Sequence, residues 1–318
     1  MDSNFKDKLF LLTGSLETIF RSFTPSSIVR FNLKFRLKKG IITLKPKLRD
    51  QSYFLGSKRY FWQYFRNEFV EWYHDKTYGL SSRRNIELPH LLSHLTVNQI
   101  IPNWQFEIQI INNVGCSKSL LSQLSSLDEL VEQDSRDLIP EITETMLHKN
   151  MQHRESKIFH TDNSTISCEL WSGSFTWENC GGSHHFAAAR YIAKKLEQDI
   201  NLTGILHLVM LNKELFRTLF SKYHLFLITL DTDENLLLNK TLENLKIPFM
   251  NTKIEDSFSI NSDENNLRLL AFRNDSLESE LVADIFRQSK AINLYGYFYL
   301  FLLKQEDNRE RYRKILMV

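Results

Sequence analysis

The chain has 318 residues, of which 42% are hydrophobic and 25% charged. That is the composition of a folded globular protein long enough for about two domains, which excludes a disordered or collagenous class. The net charge of +2 hides an asymmetry: Arg30 to Arg84 carries fourteen Lys/Arg against four Asp/Glu, while Asp128 to Glu144 is acidic.

The N-terminus, MDSNFKDKLFLLTGSL, lacks the charged lead and small-residue cleavage site of a secretory signal and reads as part of the fold. Leu9, Leu12, Leu16, Ile19 and Phe23 recur at helical steps, and Pro25 stops that helix. Val29, Phe31, Leu33, Phe35 and Leu37 then alternate with Arg30, Asn32, Lys34, Arg36 and Lys38, the period of a half-buried strand. With IITLK after Gly40, this predicts a β-hairpin with a basic outer face. KRYFWQYFRNEFVEWYHD predicts an aromatic amphipathic helix that buries Phe61, Phe65, Phe69 and Trp72 and leaves Tyr60, Trp62 and Tyr64 free for exposure.

Phe106, Ile108 and Ile110 alternate as one more strand, followed by two acidic helices as far as His153. A domain boundary is expected there, with a basic hairpin and helical domain in 1–153 and a second domain in 154–318. The second domain reads strand, strand, helix, strand, helix, strand, through ISCELW, SFTWEN, the segment after Ser183, ILHLVML, KELFRTLFSKY and HLFLITL. Such alternation argues for α/β architecture within an α+β whole. Helices NLLLNKTLENL and Ser279 to Lys290 follow. The apolar run Ile292 to Leu303 falls short of the roughly 20 residues that cross a bilayer and reads as a buried element, so no membrane partner is expected. Three cysteines, Cys116, Cys168 and Cys180, lack paired spacing, which argues against a disulfide framework and for a cytoplasmic location.

The chemistry centres on WENCGGSHHFAAARYIAKKL. Gly181 and Gly182 stand between a strand and a helix, and Ser183 is a favoured N-cap residue. Glycines let a backbone approach a ligand, and the free amides and dipole of a first helical turn favour an anion. His184 and His185 fall in that turn, and Arg190 reaches the same place if the helix is suitably rotated. Glu178 before the loop and Glu169 on the preceding strand are candidates for a general base or metal ligand, with a surface role as the alternative for either. Asp231 and Asp233 follow an apolar strand and suit magnesium, or a helix cap. Cys180 with the two histidines lacks the ligand count of a zinc site. No Gly-x-x-x-x-Gly-Lys-Ser/Thr loop and no Gly-x-Ser-x-Gly elbow occurs.

The run GGSHHFAAARYIAKKL resembles the nucleotide-binding motif of the ParB and sulfiredoxin superfamily, whose stretch Gly-Gly-Cys-His-Arg holds nucleotide phosphates. The resemblance implies a mixed sheet with helices. It matches Gly181 and Gly182 to the glycines, Ser183 to the cysteine, His184 to the histidine and His185 to the arginine. Serine for cysteine removes the sulfur nucleophile, and histidine for arginine makes the charge depend on pH. The longer string GGSHHFAAARYIA also looks like that of an uncharacterised bacterial family.

These readings lead to a nucleotide-binding enzyme that uses a nucleoside di- or triphosphate, with or without Mg2+, for phosphoryl transfer or nucleotide hydrolysis. Arg30, Lys34, Arg36 and Lys38 would contact DNA, RNA or a nucleoprotein, an arrangement compatible with a toxin or effector in bacterial defence. The rival is a non-catalytic nucleic-acid-binding or complex-forming protein whose glycine loop grips a backbone phosphate.

Overall fold

The computed structural model describes residues 25–38, 55, 62, 70–75, 80–85, 87–254 and 267–316. The fold is α+β, with two separate sheets. In chain order, α1 (Pro25–Lys38) precedes β1 (Val70–Asp75), β2 (Leu80–Asn85) and α2 (Leu88–Ser93). Next come β3 (Thr96–Glu107), β4 (Asn113–Val114), α3 (Leu127–Asp134) and α4 (Glu144–Met151). The central run is β5 (Thr165–Glu169), β6 (Ser174–Trp177), α5 (Ser183–Lys195), β7 (Asn201–Leu211), α6 (Lys213–Lys222) and β8 (Tyr223–Thr229). The chain continues through α7 (Thr232–Asn244), β9 (Phe249–Lys253), β10 (Leu267–Arg273) and α8 (Leu277–Arg287). It finishes with β11 (Ile292–Asn293), α9 (Leu294–Arg311) and α10 (Arg313–Leu316).

These residues form two compact units, one drawn from within 1–48, 67–89 and 220–295, the other from within 49–66, 90–219 and 296–318. The boundary expected near residue 153 falls inside the second unit. The first unit is built on an antiparallel sheet of order β11-β8-β10-β9-β1-β2. The buried carboxylate of Glu71, 1% exposed, takes a hydrogen bond from Arg273 Nε at 2.6 Å, which ties β1 to β10 across the intervening β9. The second unit holds a mixed sheet of order β3-β7-β5-β6-β4, in which β5 runs parallel to β7 and β4 parallel to β6. The six elements expected after residue 164 all form. The last of them, β8, joins the first unit's sheet, so the alternation does not build one continuous α/β sheet.

Residues 29–37 form helix α1, not the expected strand. A period of two contains a period of four. Val29, Leu33 and Leu37 stand one helical turn apart and pack on the core made by α7, α8 and the sheet, whereas Phe31 and Phe35 are 65% and 46% exposed. Tertiary contact on one face of a helix therefore overrode the alternation. The second strand of the expected hairpin and the helix expected at 9–23 lie outside the described residues. The last six residues of the expected aromatic helix, Val70–Asp75, form strand β1 instead and pair in register with Leu80–Asn85, while of its earlier residues only Trp62 is among those described. Trp62 is fully buried against Phe298, with ring centroids 4.8 Å apart, rather than exposed. Ile108–Ile110 closes β3 as a turn of 3-10 helix. The apolar C-terminal run is only partly buried: Tyr299, Leu300 and Leu303 on α9 are exposed. No described helix is long and apolar enough to cross a membrane.

Leu33→Ala should destabilise the protein by about 2–5 kcal/mol through an unfilled cavity, whereas Phe31→Ala should change stability by less than about 0.5 kcal/mol. Denaturant titration of both variants measures the difference, and equal losses would indicate a strand with both side chains on one buried face.

Candidate functional site

The N-terminus of α5 is assembled by a side-chain clamp and a glycine. Asn179, just beyond β6, accepts the Cys116 amide on Oδ1 at 3.1 Å and donates from Nδ2 to the carbonyls of Cys116 and Gly181, both at 3.0 Å. The Cys116 thiol donates back to the Asn179 carbonyl. Burial of the sulfur, with Cys180 and Glu178 nearby, pushes that thiol's pKa up and keeps it protonated. The clamp brings residues 116–119 alongside the first turn of α5.

Gly182 is the N-cap, with φ of 73° in the left-handed region. A Cβ there would stand 2.5 Å from the Glu155 carbonyl oxygen, so no other residue fits without moving the backbone. At Gly181 the nearest atom to a built Cβ is the Glu155 carboxylate at 3.5 Å, an ordinary contact. The close approach at Gly182 is thus made by the protein's own chain. Ser183 opens the helix as its first residue, not as its cap. Behind it Phe186, Ala187, Ala188, Ala189 and Ile192 are buried in the core over the mixed sheet, where the small alanines allow close packing.

Around His184 the hydroxyls converge. Its Nε2 lies 3.0 Å from Ser117 Oγ and 3.3 Å from Ser119 Oγ, and its Nδ1 bonds to Ser135 Oγ. Ser183 donates to Ser117 Oγ at 3.0 Å. The next residue turns elsewhere. His185 Nδ1 meets Asn150 Oδ1 at 2.9 Å, and its ring stacks on His153 with centroids 3.6 Å apart. Asn150 spends its amide hydrogens on the Leu138 and Met146 carbonyls, so its oxygen must accept, and His185 carries its proton on Nδ1. Burial first, then the neighbouring His153 and His184, lower the pKa of His185 and favour the neutral ring.

Several residues expected at this site lie apart from it. Arg190 is two turns along α5, about 10 Å from Ser183 by helical rise. It pairs with Asp128 at 2.8 Å and also donates to the Gln109 carbonyl. Burial works to raise the pKa of Asp128, but Lys194 and Arg190 outweigh it and hold the carboxyl below its ordinary value. These three residues line a polar cavity of about 370 Å³ together with Asn112, Ser126 and Ser174. Glu178 leaves the end of β6 near the loop and accepts a hydrogen bond from Ser167. Glu169 stands opposite Ser174 at the other end of the β5–β6 hairpin, three residues from the pair Ile166 and Trp177, or about 10 Å.

Asp231 caps α7 in a capping box with Glu234: it accepts the Glu234 amide at 2.7 Å and its own amide donates to Glu234 at 3.1 Å. Asp233 lies in the first turn of that helix. No group of three His, Cys, Asp or Glu residues is placed to hold a metal ion among the described residues. Lys34 is exposed and Arg30 half-buried on α1, with Arg36 and Lys38 on the same helix. The cations therefore follow a helical repeat instead of one strand face.

Residues 101–311 match the Family of unknown function (DUF6685). The chain belongs to that family. The matched span contains Ser117, Ser119, Ser135 and the whole of α5. No curated protein and no solved structure matches the chain.

Sequence reading missed Ser117, Ser119, Ser135 and Asn150. They reach the two histidines from 35 to 67 positions away, and no local pattern encodes those contacts.

Two measurements test this local account. Gly182→Ala should lower stability by more than about 2 kcal/mol, because it adds left-handed strain to a backbone clash, while Gly181→Ala should cost less than about 1 kcal/mol. Comparable melting temperatures for the two variants would contradict the close approach. The depressed pKa of His185 means the unfolded chain binds a proton more readily than the folded one, so stability rises with pH there. That contribution is present above about 6.5 and is lost as the pH falls below it. The buried His224 in the other unit, its pKa lowered by burial, acts in the same direction. Chemical denaturation from pH 7.5 to 5 should show the loss, and His185→Gln should flatten it.

Proposed function

We propose that this protein binds the phosphate of a nucleoside di- or triphosphate at the N-terminus of α5, and that it uses the bound nucleotide in phosphoryl transfer or hydrolysis. The observation that carries the reading is the convergence of Ser117 and Ser119 on His184, with Ser183 bonded in turn to Ser117, at the start of a 13-residue helix. First-turn amides have no partner within their own helix, and the dipole adds about 0.3 to 1 kcal/mol for an anion. The likeness of residues 181–185 to a nucleotide-binding motif supports the same reading. Arg190, engaged with Asp128, is not part of this site, and Glu169 is remote from it. Phosphoryl transfer needs positioning and neutralisation of charge more than a battery of covalent groups. The Glu155 carboxylate beside Gly181 would repel a bare phosphate, so the nucleotide is expected to bind with Mg2+ held chiefly by its own phosphates.

The test is thermal denaturation of the full chain with nucleoside mono-, di- and triphosphates, each with and without Mg2+. A ligand at a hundredfold excess over its Kd should stabilise the fold by about 2.7 kcal/mol. Ser119→Asp, which sets a negative charge at a half-buried position of the cluster, should abolish that gain. A melting temperature unmoved by every nucleotide, or a gain that Ser119→Asp leaves intact, would refute the site.

A further inference from the structure

We propose that Ser117 is a nucleophile, with His184 as its general base and Ser135 as the group that holds the imidazole in place. The assignment follows from counting protons. Ser117 Oγ accepts the Ser119 amide at 3.2 Å and the Ser183 hydroxyl at 3.0 Å, so its own hydrogen is left to point at His184 Nε2, 3.0 Å away. Facing a donor, Nε2 carries the lone pair, and the ring's hydrogen sits on Nδ1, where Ser135 Oγ accepts it.

Ser135 is 1% exposed and fixed by its backbone, its amide on the Val131 carbonyl at 3.1 Å and its carbonyl taking the Leu138 amide at 3.0 Å. The ring is therefore held from both sides, with the nucleophile's proton on one nitrogen and a rigid acceptor on the other, the geometry a serine nucleophile requires. Satisfying a half-buried imidazole takes one donor and one acceptor. Here Nε2 faces two hydroxyls, and the oxygen of Ser117 receives two further donors. Those donors do more than fill valences, because they stabilise the negative charge that grows on Oγ as its proton leaves. Ser117 and His184 are both only half-buried, so solvent and substrate reach the pair.

The substrate class rests on the phosphate reading above, whereas the nucleophile does not. In the transfer step the Ser117 Oγ–P bond forms as the P–O bond to the leaving group breaks. The Ser117 proton passes to His184 Nε2, and the imidazolium returns it to the leaving oxygen. Water, deprotonated by the same nitrogen, then attacks the phosphoserine, and the His184 proton returns to Ser117 as inorganic phosphate departs. Net hydrolysis consumes one water, and the developing imidazolium supplies the positive charge that the resting cluster lacks.

The experiment is covalent labelling of the full chain with an aryl fluorophosphonate, whose P–F bond breaks as Oγ–P forms, followed by mapping of the adduct by mass spectrometry. The expected result is one adduct, on Ser117, at a rate that rises from acid to neutral pH, as general-base activation requires. Ser117→Ala should abolish it, and His184→Gln should slow it about 10²-fold. Ser135→Ala should shift the pH profile as well as the rate, which a purely structural role would not do. No adduct, an adduct on a different serine, or a rate independent of pH would overturn the proposal. The wild-type map and pH profile decide the matter even where a variant fails to fold. An adduct on Ser117 without stabilisation by any nucleotide would sink the phosphate reading and leave the nucleophile standing. Stabilisation without an adduct would do the reverse.

Discussion

The contact between Gly182 and the Glu155 carbonyl is the constraint on which the site depends. It forces a left-handed residue at the end of the loop, and that residue ends one backbone direction and starts another, that of α5. Once the helix is launched there, its alanine face meets the mixed sheet and its first turn meets the 116–119 segment. A side chain at 182 would move the helix start, and with it every hydrogen bond to His184. The glycine therefore acts through packing within the protein, where the sequence had suggested close approach to a ligand.

Adjacent positions on a helix point about 100° apart, and here this separates two histidines that look like one motif. His184 turns toward the serines of 116–119 and α3, while His185 turns toward α4 and stacks on His153. Each ring has its own hydrogen-bonding solution, and neither shares a partner with the other. Arg190, two turns on, belongs to a third environment with Asp128 and Lys194. Helix α5 thus serves as a spine that distributes polar groups to three places instead of gathering them at one.

Much of the second half of the chain was legible because its signals are local. Glycine between a strand and an alanine-rich helix, apolar runs at β7 and β8, and Asp231 three residues before Glu234 each have a short-range cause. The N-terminal basic segment misled for an equally physical reason. Val29, Leu33 and Leu37 satisfy both a strand and a helix, and only burial of that one face against the first unit's core decides between them. The site was half legible. The helix start could be read from residues 181–185, but the groups that complete it come from Ser117, Ser135 and Asn150, and polar serines in acidic or basic surroundings carry no periodic signal. Arg190 and Glu169 stand about 10 Å away along helix and strand, and Arg190 is engaged there with Asp128, separations that short-range sequence signals do not carry.

The order of strands along the chain also governs how the protein can be made. Among the described residues β3 at 96–107 pairs with β7 at 201–211 alone, and the second unit takes further residues from 296–318. The first unit in turn draws on 220–295. Folding from the N-terminus, one unit after the other during synthesis, is therefore closed to this chain. Its pairings span long separations, which makes loop closure costly and folding slow. Until the ribosome has passed residue 211, the 12-residue β3, with Val97 and Ile100 exposed, has no strand partner among the described residues. An exposed strand edge of that kind is a template for pairing with other chains.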